Sequence, residues 1–329
     1  MPEAITVEGL RKSYGKVCAL DGIDLAVAQG DIVGLLGPNG AGKTTAIRIL
    51  ATLLRPDAGR AEVLGVDVVR HPERVRPLIG LTGQFAAIDE KLTGFENLRM
   101  IGRLFRLGRA EARRRAEELL TNFDLADAAG RQVKTYSGGM RRRLDLAASL
   151  TARPQVLFLD EPTTGLDPHS RNSVWHTISG LATEGTTILL TTQYLEEADQ
   201  LAGAVTVIDH GRVIAQGSPD ELKSRVGQER VEITLVDPDQ VDDAVNVLSS
   251  LTSGVPAHHE DHRPAVVLNA GSSLVPDVFR MLESAGIRAA DVTIRRPSLD
   301  DVFLAVTGRA VDGDPAPAAP VPAGKDGSR

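Results

Sequence analysis

The run Gly37-Pro38-Asn39-Gly40-Ala41-Gly42-Lys43-Thr44 fills every fixed position of the phosphate-cradling pattern G-x-x-x-x-G-K-[ST]. Its flanks decide what fold can hold it. Asp31-Ile32-Val33-Gly34-Leu35-Leu36 is a short aliphatic run that reads as a buried strand, and Thr45-Ala46-Ile47-Arg48-Ile49-Leu50 opens a helix. A triphosphate is a dense anion. Successive backbone N–H groups ahead of a helix N-terminus offer it a concave nest with fixed partial positive charge. Gly37, Gly40 and Gly42 carry no Cβ, so the main chain there can take unusual dihedrals and come close to the phosphates. The pattern assigns Lys43 to the β- and γ-phosphates and the Thr44 hydroxyl to Mg²⁺. Pro38, Asn39, Ala41 and Thr45 complete the candidate nucleotide-contacting set.

A second run supports the same chemistry. Gln155-Val156-Leu157-Phe158-Leu159-Asp160-Glu161-Pro162 is a nearly all-apolar strand ending in two carboxylates. Strands of this kind belong to parallel sheets covered on both faces. An Asp at such a strand end, beside a nucleotide loop, is placed to hold Mg²⁺, so Asp160 joins Thr44 as a candidate metal ligand. The adjacent Glu161 can orient or deprotonate an attacking water.

The chain has 329 residues, more than one compact core usually holds, so two domains are expected. Its net charge of −7 argues against a nucleic-acid binder driven by overall charge. Cys18 is the only cysteine; no internal disulfide is possible, a cytosolic setting is expected, and the residue reads as a small buried hydrophobe. No run of about eighteen apolar residues appears. The N-terminal residues lack a basic region followed by an apolar stretch. Any membrane attachment is therefore expected to come through a partner.

Along the chain, Val17–Val27 carries Asp21-Gly22 and Asp24 among apolar residues, as an antiparallel pair would. Arg60–Val69 reads as one strand with Gly65 inside it, and Ile79–Gln84 as another. Thr93-Gly94-Phe95-Glu96 has capping-box spacing ahead of a helix. Arg109–Phe123 is a helix whose Arg113, Arg114 and Arg115 lie among Glu111, Glu117 and Glu118, a solvated face rather than an anion site. Ser218-Pro219-Asp220-Glu221 starts a helix that ends near Gly227. Strands then alternate with helices again from Val231 to Val306, which predicts a small separate α/β domain. Arg309–Arg329 is Ala, Pro, Gly and charge, and reads as a disordered tail. Tyr14 could stack on an adenine ring or simply pack.

The phosphate loop, Gln84, Tyr136-Ser137-Gly138-Gly139-Met140, the Asp160-Glu161 strand and Gly165-Leu166-Asp167 occur in the order of an ABC-type ATPase cassette, which the chain resembles over roughly residues 4–227. The resemblance implies an α/β P-loop NTPase with a helical subdomain over about residues 88–150, within an ATP-binding domain of residues 1–227, followed by an accessory domain of residues 228–308. It implies ATP and Mg²⁺ as cofactors and a composite site between two cassettes arranged head to tail. One copy supplies the phosphate loop, Gln84 as metal ligand and catalytic residue, Asp160 and Glu161, with Tyr14 at the adenine. The other supplies Ser137, Gly138 and Gly139 to the γ-phosphate. Where the family usually keeps a histidine this chain has Gln193, whose amide can donate a hydrogen bond but cannot carry a proton near neutral pH. The signature loop also departs, with Tyr136 and Met140 at its ends.

The chain more closely resembles drug-export cassettes of the daunorubicin-resistance type, in Thr82–Phe85, Asp89–Gly94, Thr191–Ala198 and Leu299–Leu304. That subfamily carries glutamine at the position of Gln193. It implies a homodimer of ATPase subunits, held at the cytoplasmic face of the cell membrane by a separate multi-span permease. The Gln84–Thr93 surface is the candidate contact with that permease. The C-terminal domain would assemble the dimer, hold the permease, or serve as a structural appendage. The other reading is a non-transport ABC ATPase acting on DNA or ribosomes. DNA-end types carry a long coiled-coil insertion, and ribosome-acting types usually carry two cassettes. This chain has short helices in that interval and one cassette.

Overall fold

The computed structural model describes residues 2–83, 88–227, 229–251, 258–259, 265–269 and 274–307. Two compact units divide the chain, the first running to Ala215 and the second spanning Gln216–Gly308.

In the first unit the chain opens with β1 (Glu3–Tyr14), β2 (Val17–Ala28) and β3 (Ile32–Leu36), then α1 (Lys43–Leu50), β4 (Ala58–Val63) and β5 (Val66–Asp67). Next come α2 (Pro72–Val75), β6 (Ile79–Thr82), α3 (Gly94–Leu104), α4 (Arg109–Asn122) and α5 (Gly138–Ser149). The rest is β7 (Val156–Asp160), α6 (Pro168–Thr183), β8 (Thr187–Thr192), α7 (Leu195–Leu201), β9 (Ala204–Asp209) and β10 (Arg212–Gly217), the last reaching into the second unit.

A six-stranded sheet in the order β10-β9-β3-β8-β7-β6 forms the centre, with β9, β3, β8, β7 and β6 parallel neighbours. All residues of β3, β7 and β8 are buried, as expected where helices cover both faces of a parallel sheet. The register sets Asp160 opposite Thr191 and Leu36 opposite Thr192, so β3, β7 and β8 end at one edge. The switch between loop and helix after β3 therefore stands beside the acidic end of β7.

A second, antiparallel sheet runs β2-β1-β4-β5. Asp21-Gly22 is not a turn. The residues belong to the continuous strand β2 and form a bulge, with pairing stepping from Leu10↔Ile23 to Arg11↔Asp21. Conversely, the single strand expected over Arg60–Val69 is a hairpin. Leu64 and Gly65 hold φ of 50° and 72°, the left-handed pair of a two-residue turn, and Val63 pairs with Val66. The helices α3–α5 pack through Leu98, Leu119, Leu120, Val133 and Leu144 into a core shared with Leu157 and Leu159 of β7 and Leu190 of β8. The capping box forms, with Thr93 Oγ1 accepting from the Glu96 amide at 3.1 Å. Arg113 and Arg114 pair with Glu117 and Glu111 on a solvated face, but Arg115 turns inward, 11 % exposed, pairing with Glu118 and donating to the Leu150 carbonyl at 2.8 Å. Cys18 is exposed rather than buried, near the turn that joins β1 to β2, opposite Ser13.

The second unit contains α8 (Pro219–Val226), β11 (Arg230–Leu235), α9 (Val241–Leu248), β12 (His258–His259), β13 (Ala265–Asn269), α10 (Val275–Ser284), β14 (Ala289–Arg295) and α11 (Leu299–Thr307). Its sheet is ordered β12-β13-β11-β14 and is antiparallel throughout, over a core of Val231, Ile233, Leu248, Val278 and Leu282. The helix from Pro219 packs on α11 within this unit. Residues 309–329 lie outside the described residues.

Candidate functional site

Main-chain shape builds the loop between β3 and α1. Gly42 caps α1 with φ 111°, a conformation side chains avoid, and a Cβ there would run into the Ala19 carbonyl oxygen. A Cβ on Gly37 would overlap the Ile208 carbonyl oxygen. Both glycines are therefore required by the fold before any ligand is considered. The Ala41 amide donates to the Pro38 carbonyl at 3.2 Å, and Ala41 in turn accepts from Gly211 at 3.0 Å, which ties the loop to the β9–β10 turn.

Lys43 is 4 % exposed. Its ammonium donates to the carbonyl oxygens of Gly37 at 2.6 Å and Pro38 at 3.1 Å. Burial pulls the Lys43 pKa down, and the carboxylates of Glu161 and Asp160 oppose the shift. A buried cation whose hydrogen bonds, among the described residues, go to two loop carbonyls is poised to exchange them for anionic oxygens. Asp160, 4 % exposed, accepts at one oxygen, Oδ1, from the Thr44 hydroxyl at 3.1 Å and from the Thr191 hydroxyl at 2.6 Å. Hydroxyl and carboxylate oxygens are the hard donors that Mg²⁺ takes, so the residues fit that ion.

Glu161 follows with φ 50°, a left-handed backbone for a residue with a Cβ. Thr191 holds it there from two sides: its carbonyl and its hydroxyl both accept from the Glu161 amide at 3.1 Å. The carboxylate accepts from the Thr164 hydroxyl at 3.3 Å. Thr191 was not singled out in the sequence; the signal was a polar residue closing an otherwise aliphatic strand in line with Asp160.

Ser137 caps α5, its Oγ accepting from the Met140 amide at 3.2 Å, and it is exposed together with Gly138. Gly139 is buried, and a Cβ there would sit 2.6 Å from the Ser170 hydroxyl. Among the described residues no hydrogen bond joins Ser137–Gly139 to Lys43–Thr45. Tyr14 is 46 % exposed at the end of β1, with the Lys12 ammonium 6.0 Å from the ring centroid. Gln193 follows β8 directly and is half-buried. Gln84 lies outside the described residues; Gly83 is the last residue before it. The structure thus brings Lys43, Thr44, Asp160 and Glu161 together and leaves Ser137 and Gly138 turned to solvent.

Behind this edge Glu197 is fully buried. Its Oε1 accepts from the Thr163 hydroxyl at 2.8 Å and from the Trp175 indole at 3.0 Å, and its Oε2 has no partner among the described residues. Burial pushes its pKa up, against the hydrogen bonds.

Fold and site together define a nucleotide-binding cassette of the ABC class, and the comparisons with known proteins agree. Residues 20–164 match the ABC transporter family model, and residues 217–307 match the model for the C-terminal domain of DrrA1-3-like ATP-binding proteins. The daunorubicin resistance ATP-binding protein DrrA2 of Streptomyces coeruleorubidus is 54 % identical over 95 % of this chain and 98 % of its own. The daunorubicin/doxorubicin resistance ATP-binding protein DrrA of Streptomyces peucetius is 50 % identical, covering 94 % of each. The Nod factor export ATP-binding protein I of Ralstonia nicotianae is 40 % identical over 93 % of this chain and 94 % of its own. Among solved structures, the ADP conformation of an ATP-binding cassette of an ABC transporter superposes with TM-score 0.62 at 26 % identity, over 67 % of this chain and 93 % of that one. The chain belongs to the DrrA-type family of ABC transporter ATP-binding proteins and is an ATPase subunit.

Proposed function

We propose that this chain binds MgATP, pairs head to tail with a second copy, hydrolyses the nucleotide, and so drives drug or antibiotic efflux through a separate multi-span permease. The observation that carries the reading is the convergence of the Thr44 and Thr191 hydroxyls on one Asp160 oxygen, next to the buried Lys43 ammonium. Thr44 and Asp160 would hold Mg²⁺, with Gln84 as a further ligand. The bound ion would draw charge off the phosphates. Lys43, the amides of Gly40–Thr44 and Thr45 would grip the phosphates, and Tyr14 would stack on the adenine. Glu161 would orient the attacking water and take its proton, and the Gln193 amide would donate to the γ-phosphate.

Pairing is supported by the exposure of Ser137 and Gly138 at the start of α5, whose hydroxyl, N–H groups and dipole suit an anion presented by another copy. Among the described residues no helix is long and apolar enough to cross a membrane, and the chain's place at the cytoplasmic face of the membrane is then through the permease. Drug export is supported by the names of the relatives that match nearly the whole chain. The second unit would serve assembly of the pair or attachment of the permease.

The test measures phosphate release and nucleotide binding by wild type and Glu161→Gln, then drug-stimulated turnover with a candidate permease in membranes. Glu161→Gln is expected to keep nucleotide and lose about 10²–10⁴-fold in turnover. Unchanged phosphate release would remove Glu161 from the mechanism, and turnover indifferent to both permease and drug would remove efflux.

A further inference from the structure

Arg142 lies five residues beyond Ser137 in α5, and its side chain is only 13 % exposed. All three guanidinium nitrogens are engaged. Nε donates to the Pro162 carbonyl at 2.5 Å, Nη1 to the Gly83 carbonyl at 2.9 Å and the Asp145 carboxylate at 3.3 Å, and Nη2 to the Asp160 and Glu161 carbonyls at 3.3 and 3.2 Å. Four of these acceptors are main-chain oxygens on the two segments that lead to the candidate chemistry. Asp160, Glu161 and Pro162 are consecutive, and the middle one carries the left-handed φ of 50°. Gly83 immediately precedes Gln84. A rigid planar fork is the only side chain able to satisfy acceptors in so many directions at once; an ammonium or an amide would leave some of them unpaired.

Arg142 therefore fastens the helix that begins at Ser137 to the main chain of Asp160–Pro162 and to the Gly83 carbonyl. Resting on the head-to-tail pairing proposed above, this has a consequence. Ser137 of a chain acts on the nucleotide held by the partner copy, whereas Glu161 of the same chain acts on its own. We propose that Arg142 is a positioning residue that links the two nucleotide sites: how well Ser137 and its glycines seat on one γ-phosphate decides where Glu161 stands at the other. The guanidinium leaves little slack, because a shift of α5 must either carry the Asp160–Pro162 carbonyls with it or break several charge-assisted hydrogen bonds together. A displacement of about 1 Å at a catalytic group is enough to cost roughly 100-fold in rate.

The experiment uses mixed pairs of the full-length chain in which one copy carries Glu161→Gln, leaving one competent site. Ser137→Ala is placed on the competent copy, whose own Ser137 faces the nucleotide of the disabled site, and phosphate release is followed in a single turnover with Arg142 intact and with Arg142→Lys on the same copy. Coupling predicts that Ser137→Ala slows the competent site by at least about 10-fold when Arg142 is present and by under about 2-fold when it is Lys, while MgATP-induced pairing and melting temperature stay at those of the parent mixed pair. A competent site unmoved by Ser137→Ala, or slowed equally in both backgrounds, would overturn the proposal. So would a rate loss matched by loss of pairing or of folding, which marks a structural role. The double variant Arg142→Gln/Asp145→Asn, which removes both members of the buried ion pair, repeats the test without an uncompensated charge. If Glu161→Gln homodimers never form with MgATP, the head-to-tail reading itself fails and the coupling falls with it. If they form and the rate is unmoved, only the coupling fails.

Discussion

Replacing Lys43 by Met separates what the residue does for the fold from what it does for the ligand. In the protein alone the ammonium is buried and satisfied by two loop carbonyls, at 2.6 and 3.1 Å. Removing it leaves two loop carbonyls without that donor but also relieves the desolvation of a buried cation, so the two effects offset each other in the ligand-free protein. In the proposed nucleotide complex the same two donations would go to phosphate oxygens. Hydrogen bonds to charged groups contribute about 1.5–3 kcal/mol each, so losing two costs about 3–6 kcal/mol, roughly 10²–10⁴ in affinity. Thermal unfolding reads this directly. At a ligand concentration about 100-fold above Kd, wild type gains about 2.7 kcal/mol, a rise in Tm of about 5–11 °C for a domain of this size. At the same MgATP concentration Lys43→Met is expected to show a rise of under about 2 °C, with a ligand-free Tm within a few degrees of wild type. A full ligand-induced rise in the variant would refute the argument that this ammonium grips the phosphates.

Gly37→Ala pushes a methyl onto the Ile208 carbonyl oxygen, a main-chain atom that cannot swing away. Unfolding should show a loss of about 1–3 kcal/mol, and the nucleotide-induced Tm rise should vanish. Glu197→Gln tests the buried carboxyl through pH. Burial raises its folded-state pKa above the 4.5 of the unfolded chain, so its contribution to stability is complete below that value and is lost as pH rises through the folded-state value. The amide cannot ionise. The Tm of Glu197→Gln relative to wild type should therefore climb as pH rises from about 4.5, and a pH-independent difference would contradict the burial argument.

Much of this site was legible in the chain because its chemistry is local. The phosphate loop, the Asp160-Glu161 strand end and the helix start at Ser137 are each contiguous, and a triphosphate leaves few other ways to arrange donors and acids. What could not be read depends on register. Thr191 becomes a partner of Asp160 and Glu161 only because β7 and β8 are parallel neighbours in one particular alignment. Arg142 stood in a run of three arginines, and nothing in the run distinguishes the one that turns inward from Arg141 and Arg143. The fold erred where a single residue decides between strand and turn. Gly65 ends a strand because Leu64 accepts a left-handed backbone beside it, whereas Asp21-Gly22 is absorbed as a bulge in which Gly22 is the extra residue of β2 between the pairs Leu10↔Ile23 and Arg11↔Asp21. Cys18 was expected inside by residue type, and strand ends override type.

Light scattering on the Glu161→Gln protein, with and without MgATP, reaches the proposed two-copy site most directly. One chain weighs 35.0 kDa. The reading in which Ser137–Gly139 of one copy closes over the nucleotide held at Lys43, Thr44 and Asp160 of another predicts that MgATP doubles the measured mass and that removing Mg²⁺ restores the single chain. A protein that binds MgATP and keeps the mass of one chain at every concentration would contradict it.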